Sequence, residues 1–546
     1  GGTTMNNLFI QYFSILSKRR DLMRAIRKIR LMLGFFIVTS GLSPFALVAQ
    51  TATQLTIDAS QSLGAIDLTR FSLGQGGLSA KPMFDDKINE IKAIHPAYIR
   101  IFLQEYYHFL PAANTYHWGS LDTMLDLITA VGAQPILDIC FKPKVLYPVI
   151  DQRITIPPNG WTGWDTLCYR LAKHCLDKNY GVKYWEIGNE VDIGDGGGCP
   201  YQCTSADYKQ WYTHTANSIK KADPTAKVGG PALCCPYNGS IGTDLIAYCA
   251  NGNAPLDFYS WHAYGGDGGS TATIKQLLAS YPSLRNVETM ITEWNSGVAP
   301  GMGADQPPFV LEQTKAFLQA GLTISAYYHI RDYKVDINEF SDFMSPSAAQ
   351  FMADWWNGST DRGGLFGFNG NMYPVYYVFL WLSKMKGTQL KSTCGTGDIR
   401  SWAVKNGNST YVIFWNYGGG TSYNVTITLP GTTAGTFVLK RLNCTTVKAD
   451  SLRGGTVQSL STTPLTISLP RYGIGWLEIV PNQTAMKPRV WDRMPAAGYP
   501  ATLYDLRGRH TGRMIHANAG MDAYAAGARG IFLSVAQNRI TRLVVK

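Results

Sequence analysis

The sequence predicts an α/β protein built round a (β/α)8 TIM barrel, with an accessory β-sandwich domain and a small C-terminal β segment. Three observations carry this. Short apolar, strand-like runs alternate eight times with amphipathic helical stretches up to about residue 387. Beyond it the helical period gives way to two-residue alternation broken by Gly, Asn and Pro. No GxGxxG follows the first strand, which favours a barrel over a doubly wound open sheet.

Taken in order, residues 1–49 hold seven Lys/Arg against Asp21, then an apolar stretch broken at Ser43-Pro44 and a small residue at Ala49. This pattern predicts a secretory signal peptide cut after Ala49, with an uncleaved anchor as the rival reading, and hence a secreted or cell-surface protein. Met5 and Met23 are competing starts. The barrel domain is expected over 53–387, with strands at 66–74, 97–103, 133–141, 182–189, 226–231, 257–264, 287–295 and 323–330. Helical candidates between them include SLDTMLDLITAVG, SADYKQWYTHTANSIKKAD and FVLEQTKAFLQAG, with apolar residues three or four apart. The stretch 331–371 reads as a long irregular loop on the functional face. Residues 388–481 read as the β-sandwich, and 482–546 as a linker followed by short strands with Gly-rich turns.

Composition limits the function. With 45% hydrophobic, 12% aromatic and only 16% charged residues in 546, the chain can bury large cores. The net charge of +11 comes from the two ends, so the near-neutral middle lacks the basic patch a nucleic-acid partner needs. Ten cysteines permit disulfides; Cys199 with Cys203 and Cys394 with Cys444 are the pairs to test first. A zinc site at Cys199-x3-Cys203 is disfavoured because no His follows at finger spacing.

In a barrel, catalytic groups sit at the C-terminal ends of strands. YWEIGNEVD ends the fourth strand on Asn189 and Glu190, and ITEWN ends the seventh near Glu293. Barrel closure can bring two such carboxylates across one cavity. One would then donate a proton to a leaving oxygen while the other attacks the anomeric carbon. They need unlike environments, the acid buried and the nucleophile charge-paired, and Arg100 on the second strand is the candidate cation. Glu186, two residues along from Gly188 on the same side, is expected to ion-pair with an arginine in the barrel interior.

WEIGNE and ITEWN resemble the acid/base and nucleophile strands of clan A glycoside hydrolases, most nearly family 39, the β-xylosidase-like group. The resemblance covers roughly residues 53–481, where LPRYGIGWLEI is similar to the end of the accessory domain in such enzymes. It implies Glu190 as acid/base, Glu293 as nucleophile, Asn189 as donor to the sugar 2-hydroxyl, and no cofactor or metal. It also implies that His262 and Tyr264 touch sugar hydroxyls and orient Glu293. Lys142, Tyr328, Trp294 and one of Trp355 or Trp356 are further candidates for the carbohydrate substrate. Where the commoner family pattern reads Trp-Asn-Glu-Pro, this chain has Gly188 before Asn189 and Val191 after Glu190. That leaves open an α-L-arabinofuranosidase, a β-glucuronidase or an endo-glycanase beside a β-xylosidase, with a catalytically inactive carbohydrate-binding protein as the non-enzyme alternative. YDLRGR and GIFLSVAQNRITRLVVK resemble the C-terminal sorting domains of the type IX secretion system, which would make secretion machinery a partner.

Overall fold

The computed structural model describes residues 50–545, apart from 77–81, 237–238, 298–302, 359–362, 419, 431–434, 443–451, 460–463, 482–500, 505–509, 516–529 and 537–538. The expected signal peptide and Cys444 therefore lie outside the described residues. Among the described residues no helix is long and apolar enough to cross a membrane.

Strand β1 (Thr51–Asp67) precedes eight strands that close into a parallel barrel: β2 (Ser72–Gln75), β3 (Tyr98–Leu103), β4 (Gln134–Ile139), β5 (Tyr184–Ile187), β6 (Lys227–Leu233), β7 (Phe258–Tyr264), β8 (Glu288–Asn295) and β9 (Ile324–Tyr328). β2 pairs with both β3 and β9, which seals the cylinder. Its interior is layered, as side chains two apart on a strand share a face. Ile136, Tyr184, Phe258, Met290 and Ile324 cluster in an apolar layer. The charged Arg100, Asp138 and Glu186 lie one inward position further along β3, β4 and β5.

Three ladders slip by a residue near the C-terminal strand ends: β6–β7 between Pro231 and Leu233, β7–β8 between Trp261 and His262, and β8–β9 between Ile291 and Trp294. A bulge re-aims the side chains beyond it. Ser260 lies opposite Met290, yet His262 lies opposite Glu293 rather than Thr292. The extra residue on β8 therefore changes which of its side chains face the cavity.

The second domain is one continuous sheet in the order β15-β14-β17-β12-β11-β10-β1-β13-β16, its later strands being β10 (Lys386–Cys394), β11 (Ile399–Asn406), β12 (Ser409–Asn416), β13 (Tyr423–Thr428), β14 (Gly435–Leu442), β15 (Leu452–Ser459), β16 (Leu465–Leu469) and β17 (Ile474–Pro481). It curls round its own apolar cluster, to which Leu55, Ile57, Val412, Phe414, Val425 and Leu477 contribute. The boundary differs from the sequence reading. Residues 51–67, expected at the start of the barrel domain, pair with β10 and β13 instead. The first barrel strand is accordingly only Ser72–Gln75, because Ile66 and Asp67 continue β1 to its pairing with Gly387 and Lys386.

The opposite face of this sheet packs on the barrel domain. Trp476 of β17 stacks on Trp381 of the last barrel helix (Pro374–Leu382), ring centroids 5.6 Å apart at 6°. Trp415 Nε1 donates to Glu312 Oε1 at 2.6 Å, and Arg400 pairs with the same oxygen at 2.7 Å. The stretch 331–371 is more ordered than expected, with helices at Ile337–Phe340 and Pro346–Asn357. Ser345 caps the second by accepting from the Ala348 amide, with Pro346 at its first position. In the tail, β18 (Ala501–Tyr504), β19 (His510–Ile515), β20 (Gly530–Ala536) and β21 (Arg539–Val545) form a separate four-stranded sheet.

Removing the Trp476 ring opens a cavity between the domains. Trp476→Ala should lower unfolding free energy by about 3–5 kcal/mol, the usual cost of truncating a buried aromatic, as read by urea titration followed through tryptophan fluorescence.

Candidate active site

Arg100 stands at the centre of the barrel, 1% exposed, with its guanidinium shared among four oxygens. Nε donates to Glu186 Oε2 at 2.5 Å, Nη1 to Glu293 Oε1 at 2.8 Å, and Nη2 to Asp138 Oδ2 at 3.1 Å and Asn189 Oδ1 at 2.9 Å. A planar fork of five N–H groups suits this task, whereas an ammonium would not span it. Burial holds the Asp138 carboxyl well above the usual range even against the pull of Arg100, with Glu186 and Glu293 adding to the rise.

Glu293 is fixed from two sides. Arg100 holds Oε1, and the Tyr264 hydroxyl donates to Oε2 at 2.6 Å. His262, from the same strand as Tyr264, places Nδ1 2.8 Å from Glu190 Oε1 and Nε2 3.7 Å from Glu293 Oε1. Burial lowers its pKa, so the ring is neutral.

Glu190 is presented by a tight turn beyond β5. Gly188 has φ +89° and Glu190 φ +47°. A Cβ at Gly188 would stand 2.8 Å from Val191 Cγ1 and 3.1 Å from the Trp211 ring, so both conformation and space require glycine there. This is the physical reason for the Gly188 and Val191 that depart from the commoner pattern, since Val191 is buried beneath the turn. The Glu190 amide donates to Ala232 O at the end of β6, 2.9 Å away. A non-glycine residue in the left-handed region is strained, a condition that gathers at functional sites. The loop 194–198 then crosses directly over the carboxylate, for a Cβ at Gly197 would lie 2.2 Å from Glu190 Oε2. Gly197 O also receives Asn189 Nδ2 at 3.2 Å, so the Asn189 amide is oriented at both ends.

One oxygen of Glu190, one of Glu293 and a ring nitrogen of His262 all lie within 4.8 Å of one another. The two carboxylates have opposite surroundings. Burial, assisted by the charge of Asp192, pushes Glu190 up to about 8, so it keeps its proton at neutral pH. Glu293 has the guanidinium and the phenol as donors.

The other expected site residues divide. Tyr328, from β9, is buried against Phe102 and hydrogen-bonds Tyr333, whose ring stacks on Trp356 at 4.8 Å; this group flanks the cavity on the β9 side. Lys142 does not reach the cavity. Its ammonium donates to Asp151 O at 2.5 Å and Pro200 O at 3.2 Å and lies over the rings of Tyr201 and Tyr147, so it ties loops together. Trp294 also faces away, 1% exposed and edge-on to Phe317 and Tyr327, because it follows the inward Glu293 on the same strand. Cys199 and Cys203 are both free thiols, each amide instead tied to a loop carbonyl, Gly194 O and Val191 O. Sequence reasoning missed Asp138, whose signal was a lone carboxylate within the apolar run ILDIC, and Asp192, two residues past Glu190.

A closed eight-stranded barrel with an acid and an arginine-paired carboxylate at the ends of its fourth and seventh strands has the layout of the clan A glycoside hydrolases. Comparison with known proteins narrows this. Residues 94–300 match the family model described as glycosyl hydrolases family 39. A β-xylosidase of Geobacillus stearothermophilus is 30% identical over 160 residues, 27% of this chain and 31% of that protein. A β-xylosidase of Caldicellulosiruptor saccharolyticus is 24% identical over 310 residues, 51% of this chain and 58% of that protein. The chain thus spans less than two thirds of either relative. Among solved structures, the family 39 enzyme from Xanthomonas axonopodis pv. citri superposes with a TM-score of 0.62 at 16% identity, covering 81% of this chain and 100% of that one. The likeness to family 39 expected from WEIGNE and ITEWN is present in the family model and the relatives, and the expected fold is present in the structure.

Removing the guanidinium would leave three buried carboxyls facing one another. Arg100→Met should therefore cost about 3–5 kcal/mol of stability, the scale for stripping one partner from a buried ion pair, measured by denaturant unfolding at neutral pH. Arg100→Lys should recover only part of it.

Proposed function

We propose that the protein is a retaining glycoside hydrolase of β-xylosidase type, acting by double displacement with Glu190 as acid/base and Glu293 as nucleophile. The observation that carries this is the approach of the two carboxylates to within 4.8 Å. Retaining enzymes hold the pair about 5–5.5 Å apart, whereas inverting enzymes leave about 6.5–9.5 Å for a water.

In the first step Glu293 attacks the anomeric carbon while Glu190 gives its proton to the departing oxygen. Arg100 and Tyr264 fix the Glu293 oxygens, so the attack needs little reorganisation. Once its proton is spent, Glu190 is the base that takes one from water as the glycosyl ester is hydrolysed. His262 Nδ1 at 2.8 Å keeps the carboxyl in place through both states. Asn189, oriented by Arg100, is the donor to the sugar 2-hydroxyl in this reading. A β-xyloside is preferred over other glycosides because two of the relatives are named β-xylosidases. Export through residues 1–49, and sorting by the tail, belong to the same proposal.

With an aryl β-xyloside as substrate, Glu293→Ala should lower turnover by at least roughly 10⁴-fold, the scale for loss of a covalent nucleophile. Azide should restore part of it with an α-azide product seen by NMR; no rescue with any aryl glycoside tested would sink the assignment. The pH profile follows from Glu190. Its proton is present below about 8 and lost above, so kcat/KM of the free enzyme should fall on an alkaline limb near that value. A limb that stays in place in Glu190→Gln would assign it to another group.

A further inference from the structure

The turn that carries Glu190 rests on the end of β6, through the Glu190 amide and Ala232 O. Two residues further on, β6 runs into adjacent cysteines, Cys234 and Cys235. Cys235 is exposed, and its side chain hydrogen-bonds that of Cys234. Cys234 grips Asp192 twice, its amide 3.2 Å from Oδ1 and its thiol donating to Oδ2 at 3.1 Å. Asp192 follows Glu190 by two residues, and its charge is the strongest influence after burial that raises the Glu190 carboxyl. One surface thiol is thus linked, through one half-buried thiol and one carboxylate, to the proton of the proposed acid/base.

We propose that Cys234 and Cys235 form a modification site at the rim of the active cleft, a vicinal dithiol that closes to a disulfide and thereby withdraws the thiol proton given to Asp192 beside Glu190. The oxidant is a small-molecule disulfide. The Cys235 thiolate attacks one of its sulfurs, forming a mixed disulfide and releasing the first small thiol. The Cys234 sulfur then attacks the Cys235 sulfur and releases the second. Two protein thiols and one small disulfide become one protein disulfide and two small thiols, with protons and electrons balanced. Cys235 is suited to attack, being exposed to a small-molecule disulfide.

Among the described residues, the groups facing Glu190 and its neighbours include Arg100 from β3, His262 and Tyr264 from β7, Glu293 from β8, and Asp192, Cys234 and Cys235 from the two loops. Oxidation alters only the last three. With the S–H donor gone, the charge on Asp192 is less neutralised, and Glu190 holds its proton more tightly. The coupling to catalysis rests on the reading of Glu190 as acid/base.

The test uses the full chain, reduced or incubated with oxidised glutathione. Peptide mass spectrometry should find the 234–235 peptide lighter by two hydrogens and free of glutathione. The alkaline limb of kcat/KM on an aryl β-xyloside should move to higher pH on oxidation. Cys235→Ser should remove both responses and keep the limb of the reduced protein in either buffer. Asp192→Asn should move the limb to lower pH, also in either buffer. A glutathione adduct in place of the bridge, or no change at either cysteine, overturns the site. A bridge that leaves the limb unmoved overturns the coupling. As the bridge is read by mass, a protein that bridges but hydrolyses no glycoside overturns the catalytic reading and the coupling together while retaining the modification site.

Discussion

The constraint on which the site depends is a single guanidinium inside a closed cylinder. Arg100 contacts groups from β4, β5 and β8 and the turn after β5, and almost none of it reaches water. A buried cation is costly to desolvate and is tolerated only when its donors are matched. Here the match supplies both the barrel's charged layer and the placement of Glu293. Stability and the placement of Glu293 draw on the same five N–H groups, so the region cannot be repacked with apolar residues without losing the partner of that carboxylate.

Two carboxylates of similar intrinsic acidity are made unlike by their surroundings. Glu190 sits under a glycine loop, with Asp192 near and Arg100 committed elsewhere, and its proton is retained. Glu293 has a guanidinium on one oxygen and a phenol on the other. The bulge opposite His262 makes this possible, because a regular ladder would have set Thr292 where Glu293 now stands.

Much of this was legible in the sequence. The eight strands could be marked because each is a short apolar run, and Glu190 and Glu293 could be singled out because carboxylates ending such runs have no place in a core. Glu186 came from alternation along its strand, and Arg100 from the need of an ionised nucleophile for a nearby cation. Events that break the alternation could not be read from it. The slip on β8 is invisible in ITEWN, which made Trp294 look like a cavity residue when it faces the helices. Lys142 read as a candidate for the substrate because its acceptors are backbone carbonyls of other loops, Asp151 and Pro200, which carry no residue-type signal. β1 was placed with the barrel because its pairing with β10 lies more than 300 residues away, beyond any local pattern.

That last pairing ties the architecture into a loop. β1 does not decorate the edge of the accessory sheet; it is inserted between β10 and β13, with partners on both sides. On a chain emerging from its N-terminal end, this strand must wait with both edges unpaired until the whole barrel and the strands beyond it have been made. The barrel is thereby enclosed between two parts of one sheet, and no single cut in the chain separates the two domains intact. The accessory sheet acts as a clasp on the barrel, fastened only when synthesis of the catalytic portion is finished.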